Sequence, residues 1–358
     1  MNVVCCDLVP TMTQVPSWDK VLKLLKKTQY LYGPGLSQLR ENVRKMWLDR
    51  MVTKAESSFL IDVPADPLEY YPQLLALRNE HIPFSIAHVC SRTADLSSQS
   101  EHLKPLWNFG PETCFTFLHF CPQASVNTTY DQLVNVRFSW WKQLSYNSSD
   151  FTLSNMEENS AVLSGRRIQY KFPWGLETVE TICNLGDEHL KKLQQKTKSN
   201  CQYSQGKKCI YPSQIQCDMT LEMATALFLK DAYVEKSVKG NEVKQVLHLS
   251  PVLAPFKVAV CRQGERHEEI SEVTTYIASM LRKHGHQILD TCHTKNHLNM
   301  QLNRFDEMGV PFTVIVSDST IETGTVQIRN RDTGIQETLA IGDLPLYVTK
   351  HVTYQAAS

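Results

Sequence analysis

The stretch P-F-K-V-A-V-C from Pro255 to Cys261, E-E-I-S-E-V-T-T-Y-I-A-S-M-L-R-K-H from Glu268 to His284, and F-T-V-I-V from Phe312 to Val316 decides the fold of the C-terminal third. The first run is strand-like and ends at Gly264. In the second, Ile270, Val273, Ile277, Met280 and Leu281 recur at helical spacing, and Gly285 follows where a left-handed cap residue belongs. The third is the near-continuous apolar run of a strand buried on both faces.

Working outward, His286 to Thr291 reads as a short strand. Leu298, Leu302, Phe305 and Met308 form a second helical face closed by Gly309 and Pro311. Glu322-Thr323-Gly324 gives a hairpin signal into a strand from Thr325 to Arg329. Asn330 to Gly334 is a turn, Gln336 to Ile341 a last strand, and Leu344 to His351 a last helix. The order β-α-β-α-β-β-β-α, with right-handed crossovers, predicts an α/β domain on a mixed five-stranded sheet over residues 250–358.

The preceding residues, 17–245, mix helices (Leu36 to Val52, Asp131 to Leu144, Thr220 to Tyr233) with strands (Phe59 to Val63, Ile82 to Cys90, Cys114 to Phe120, Ile168 to Phe172). That pattern predicts an α+β domain, an antiparallel sheet with helices on one side. Ser91 to Glu101 and Asn147 to Ser164 read as polar loops, and residues 1–16 as a separate, flexible N-terminal segment. From Ser17 to Leu31, Val21, Leu24, Leu25 and Thr28 share one helical face with lysines largely opposite, which fits either a targeting helix or the domain's first helix.

Composition narrows function. Lys+Arg and Asp+Glu both number 37 among 358 residues, so no global basic field points to nucleic acid, and any such contact must be local. No apolar run spans a bilayer, so no membrane partner is expected. Eleven scattered cysteines without a C-x-x-C read as reduced thiols rather than a zinc site or disulfide framework. His284, His286, His293 and His297 have no fixed ligand spacing, and Walker, nucleophile-elbow and HExxH motifs are missing. The expectation is therefore no metal, no cofactor and no catalytic residue.

A local patch does exist. Lys191, Lys192, Lys196, Lys198, Lys207 and Lys208 lie in a Gln/Ser/Asn-rich stretch with no Asp or Glu between the first and last of them. Such a stretch either contacts phosphates without reading bases or is a solvated lysine-rich loop.

The C-terminal run of Leu253-Ala254-Pro255, R-F-D-E-M-G-V-P from Arg304 to Pro311, and R-N-R-D-T-G from Arg329 to Gly334 resembles the anticodon-binding domain of class IIa aminoacyl-tRNA synthetases. Upstream, Tyr32-Gly33-Pro34-Gly35 with Leu39, Asn42 and Trp47, then Pro64, then Ile82-Pro83-Phe84 with Ala87 resemble their catalytic domain. Phe138 to Lys142 (F-S-W-W-K), Phe172 to Gly175 (F-P-W-G) and Asn184 to Asp187 (N-L-G-D) make the chain similar to a narrower family, the accessory subunits of mitochondrial DNA polymerase gamma.

This resemblance implies a noncatalytic processivity subunit in the mitochondrial matrix. Its partners would be the catalytic subunit of mitochondrial DNA polymerase gamma and double-stranded or primer-template DNA of low sequence specificity. Residues 1–19 carry no arginine of the kind found in transit peptides. The C-terminal domain would be the docking surface, with Gly324, Arg329, Arg331 and Asp332 either at the partner or stitching their own turn together.

Vertebrate relatives carry a helical dimerisation insertion where about eighteen residues separate Pro64 from Ile82 here, too few for two paired helices. A one-to-one heterodimer is therefore expected. Where synthetase motifs 2 and 3 place phosphate-binding arginines, the sequence offers I-P-F-S-I-A-H-V-C-S-R-T, with Arg92 out of register, and Thr220-Leu221-Glu222-Met223. Loss of both arginines implies no aminoacyl-adenylate chemistry. The rival reading is a synthetase-derived tRNA-binding protein without aminoacylation activity.

Overall fold

The computed structural model describes residues 18–28, 33–92, 111–157, 162–237, 243–264, 267–290 and 297–352. The N-terminal segment, Tyr32, most of the Ser91 to Glu101 loop, His293, Cys5, Cys6 and Cys292 lie outside the described residues.

In chain order the elements are α1 (Trp18–Lys27), α2 (Pro34–Leu48), β1 (Ser58–Ile61), α3 (Tyr71–Leu77), β2 (Phe84–Arg92), β3 (Glu112–Cys121), α4 (Val126–Leu144), β4 (Phe151–Asn155), β5 (Ser164–Phe172), β6 (Gly175–Gly186), α5 (Glu188–Thr197), β7 (Tyr203–Gln205), β8 (Lys208–Ile210), β9 (Ser213–Thr220), α6 (Leu221–Ala232), β10 (Tyr233–Ser237) and β11 (Val243–Leu247). They continue as β12 (Val258–Arg262), α7 (His267–Lys283), β13 (Ile288–Asp290), α8 (Leu298–Glu307), β14 (Phe312–Val316), α9 (Asp318–Thr323), β15 (Thr325–Asn330), β16 (Gln336–Ala340) and α10 (Leu344–Val352).

Seven strands form the first sheet in the order β1-β2-β3-β9-β6-β5-β4, antiparallel except for the β1–β2 pair. Its register separates two faces. Phe115, Phe117, Ile215, Cys217 and Met219 point to a core completed by α1, α2, α4 and α6. The alternate residues Thr116, Leu118, Gln214, Gln216 and Asp218 point the other way. That second face is covered at one end, where α3, α5 and the β7–β8 hairpin pack Tyr71, Leu75, Leu190, Leu193 and Tyr203 against Phe84, Leu118 and Phe120. Its middle is left open. Val21, Leu24 and Leu25 of α1 are buried, so the apolar stripe of this helix belongs to the domain core.

The five-stranded sheet runs β13-β12-β14-β15-β16, with β12 parallel to β13 and β14 and the last two pairings antiparallel. Helices α7 and α10 pack on one face and α8 on the other. The first core takes in Leu253 and Ala254, and the next begins at Val258.

Two connections are held by side chains in place of backbone pairing. Asn42 Nδ2 donates to the carbonyls of Leu253 and Ala254 at 3.0 Å each. Lys257 Nζ donates to the carbonyls of Pro251, Val252 and Ala254.

Several expectations need correction. Asn147 to Ser164 is not all loop, because Phe151–Asn155 is the edge strand β4, anchored by buried Phe151. Glu322-Thr323-Gly324 is not a hairpin. Thr323 ends the short helix α9, opened by a Ser317–Thr320 capping box, and Gly324 is its left-handed cap at φ 68°. The lysine stretch is not one loop, since Glu188–Thr197 is helix α5 and Lys207 and Lys208 sit at the β7–β8 turn. Ladder pairing overrode local polarity in the first case, and in the second the Ser317–Thr320 cap starts a helix that T-G then ends.

Gly324 has open space where a Cβ would stand, so only its backbone conformation is demanding. Gly324→Glu is expected to cost about 1–2 kcal/mol, read by urea unfolding. Half-buried His119, whose Nδ1 lies 2.9 Å from Ser85 Oγ, is pushed down to about 4 by burial. The unfolded chain then binds a proton that the folded chain refuses. Stability from this group is full above about pH 6.5 and is lost as pH falls towards 4, by on the order of 2–3 kcal/mol. His119→Asn should remove this acid sensitivity when unfolding free energies at pH 7 and pH 4.5 are compared.

Candidate functional site

The open middle of the seven-stranded sheet forms a cleft of about 540 Å³. Its position is that expected of a class II adenylate site, between the end of β2, the start of β3 and the β9–α6 junction. Its chemistry is different. Carboxylates of Glu112, Glu177, Asp218 and Glu222 line it, against the single cation Arg92 among its lining residues.

Arg92 closes β2 opposite Glu112, pairs with it at 3.3 Å, and leaves about two thirds of its side chain in solvent. It is therefore at the cleft mouth but already neutralised. Thr220 ends β9 and caps α6, its Oγ1 accepting from the Met223 amide at 3.4 Å. Met223 faces the cleft with a thioether. Beside it, buried Glu222 takes Arg40 Nη2 at 2.7 Å and the Thr113 amide at 2.9 Å. The first turn of α6 thus presents a thioether and a carboxylate already paired with a guanidinium. Burial pushes the Cys114 thiol up to about 12, so it lines the cleft in its uncharged form.

Under the cleft lies a fully buried ion pair. Arg137 on α4 donates Nε and Nη2 to both oxygens of Glu180 on β6, at 2.7 and 3.1 Å, and Trp141 Nε1 donates to the same carboxylate. The guanidinium also stacks 4.5 Å from the Trp140 ring centroid. F-S-W-W-K thus supplies the aromatic wall of this pair, a role that local sequence did not reveal because Glu180 lies 43 residues away.

The six lysines divide into two groups. Lys191 bridges Asp187 and Glu188 at 2.8 and 2.9 Å, and Lys196 reaches Glu69 at 3.2 Å. Lys192, Lys198, Lys207 and Lys208 have no ion pair among the described residues and are exposed. The sequence window held no acid, yet acids just before it and far upstream neutralise two of its six charges.

On the C-terminal sheet, Arg329 grips buried Asp306 with both terminal nitrogens at 2.9 and 3.0 Å, and Lys244 joins the same carboxylate. Arg331 donates to the carbonyls of Gly309 and Leu249 at 2.8 Å each and to Asp332, which also holds His248 Nδ1 at 2.6 Å. Neither guanidinium is presented to solvent, unlike the contact role that the sequence left open for them. Asp332 is half exposed and Gly324 caps its helix. Among the described residues, no group of three or more His, Cys, Asp or Glu is arranged to hold a metal, and no helix is long and apolar enough to cross a membrane.

Residues 257–351 match the anticodon binding domain family. The chain is similar to the mitochondrial DNA polymerase subunit gamma-2 of Xenopus laevis, 29% identical over 291 residues, covering 80% of this chain and 62% of the relative. It is similar to the DNA polymerase subunit gamma-2 of Mus musculus at 28% identity, with 80% and 63% covered. A glycine–tRNA ligase of Clostridium beijerinckii is 31% identical over 184 residues, 51% of this chain and 38% of the ligase. The chain is thus a relative of both groups, and it spans a little over three fifths of the length of the polymerase subunits it matches.

Arg137→Met should strand Glu180 in the core and cost roughly 3–5 kcal/mol, measured by denaturant unfolding. Replacing Glu180 as well, with Met, should recover part of that loss.

Proposed function

We propose that this chain is a noncatalytic accessory subunit of mitochondrial DNA polymerase, acting in the mitochondrial matrix. It binds the polymerase catalytic subunit and strengthens its hold on primer-template DNA. The observation that carries this reading is the pairing of two facts. Similarity to polymerase gamma-2 subunits extends over 80% of the chain, whereas similarity to glycine–tRNA ligases stops near half. The ligase-like cleft meanwhile carries Glu222 and Met223 at the junction where a phosphate-binding arginine would stand.

In this reading the C-terminal sheet is the docking body. Gly324, Arg329, Arg331 and Asp332 fix its shape, and the partner meets the surface they hold. DNA is met through phosphates by the unpaired Lys192, Lys198, Lys207 and Lys208, with Lys191 and Lys196 as lesser contributors because carboxylates already engage them. The complex is one-to-one. Residues 62–83, between β1 and β2, hold only a 3₁₀ turn and the seven-residue α3, which leaves no long helical pair for self-association.

The anticodon binding domain match favours one other reading, a tRNA-binding protein without aminoacylation activity. Pull-down against the polymerase catalytic subunit and against tRNA separates the two.

The deciding experiment is primer extension by the catalytic subunit at moderate salt, with and without this chain. Longer products per binding event are expected, and unchanged products would refute the accessory role. Amino-acid-dependent ATP–pyrophosphate exchange is expected to be absent. In DNA titrations across salt concentrations, neutralising Lys192, Lys207 and Lys208 should flatten the log–log slope by about 0.9 for each DNA phosphate that the variant leaves unneutralised. Neutralising Lys191 and Lys196 should change it much less.

A further inference from the structure

A second cavity, of about 420 Å³, lies on the same open sheet face between α5 and the 3₁₀ turn Pro67–Tyr70. This volume is within the roughly 300–1,000 Å³ of small-molecule sites. Its boundaries have three distinct characters. Pro67, Leu68, Leu118 and Leu193 give apolar walls. At the rim, Asp66 accepts the Leu68 amide and Glu69 is bound by Lys196, so both acids are already engaged. Lys192 and His189 are the charged or basic groups left without a partner among the described residues.

The floor adds an independent constraint. Asp218 accepts hydrogen bonds from Thr116 Oγ1 and Gln216 Nε2, both at 2.7 Å. A carboxylate can only accept, so the Gln216 amide must turn its nitrogen to Asp218 and its oxygen to Gln214. Gln214 must then turn its own nitrogen to Gln216, at 3.4 Å. The chain of amides has one polarity, fixed by Asp218, and it ends at Gln214 Oε1. That oxygen has no hydrogen-bond partner and belongs to a residue that lines the cavity and is only 2% exposed. A buried acceptor left without a donor is destabilising, and flipping the amide would set two oxygens against each other.

We propose that this cavity is a nucleotide subsite. A phosphate is met at the rim by Lys192 and His189, a planar base lies between the leucine walls, and an amino or imino N–H of the base edge donates to Gln214 Oε1. The acidic cleft next to it, which shares Thr116 and Gln216 with it, takes no part in binding the phosphate. The same chemistry is offered by a free mononucleotide and by an unpaired nucleotide at a DNA strand end. The assignment does not depend on the polymerase reading.

The test is calorimetric titration of the full chain with each 2′-deoxynucleoside 5′-monophosphate, and in parallel with a duplex carrying one unpaired terminal nucleotide. One saturable site is expected, weakened about tenfold in Lys192→Gln and in Gln214→Leu. Because Gln214 is buried, the folding of its variant is checked by Tm, and exposed Lys192 carries the test on its own. Saturation by the mononucleotide identifies the free source; saturation by the overhang duplex and not by the same duplex with blunt ends identifies the strand end. The proposal is overturned if neither probe saturates, or if both bind Lys192→Gln as they bind the parent chain.

Discussion

One guanidinium joins the two halves of the molecule. Arg331 leaves the end of β15, reaches back to the carbonyl of Leu249 at the edge of the first core, and holds the Gly309 carbonyl of its own domain with the same fork. Asp332 balances its charge and takes His248 as well. Buried charged networks of this kind add little net stability, because desolvation offsets the attraction. What they fix is geometry: a shifted domain would take the buried Leu249 carbonyl from Arg331 and His248 from Asp332. Asp306, held by Lys244 from one side and Arg329 from the other, repeats the arrangement a helix away. The relative placement of the sheets thus rests on directional contacts at a few points, with Asn42 and Lys257 closing the connection between them.

Within that frame, the first domain has a synthetase-like architecture and lines its cleft with carboxylates. Thr220 still caps α6 where the strand turns into the helix, so the backbone survives, while Glu222 and Met223 occupy the first turn. The buried Arg137–Glu180 pair beneath maintains the floor whatever the cleft above it does. Fold and electrostatics are separable here because the helix cap depends on a hydroxyl and the phosphate site on a cation.

Residues with strong short-range signals were legible in the sequence. Val258 to Cys261 and Phe312 to Val316 are strands at the centre of their sheet, and the helices around Ile270 to Leu281 and Asp131 to Leu144 stand where their periodicity put them. Strands β6 and β9 were not legible. Each alternates polar and apolar residues across a half-open sheet, and Gln214, Gln216 and Asp218 look like loop residues until the open face is known. The candidate sites suffered from distance. Arg40 and Glu222 are 182 residues apart, and Glu69 and Lys196 are 127 apart, so a window on either member shows a free charge. The sequence shows the conformational demand at Gly324 but not which turn it makes, because T-G ends a helix as readily as it opens a hairpin.

The strand order of the first sheet also bears on how the chain reaches its structure. The β5–β6 hairpin pairs neighbours in sequence, but β3 must wait for β9, and Cys114 meets Thr220 across the middle of the sheet. Closing that pair costs loop entropy over about a hundred residues before any of its contacts reward it. A chain emerging from its N-terminus therefore holds β3 with one unsatisfied edge, and with Phe115 and Phe117 uncovered, until β9 and α6 have emerged. An exposed apolar edge is what holding chaperones recognise and what other chains pair with. The wide, centrally crossed sheet that creates the open face thus leaves the newborn protein with an unpaired apolar edge until its middle strand is made.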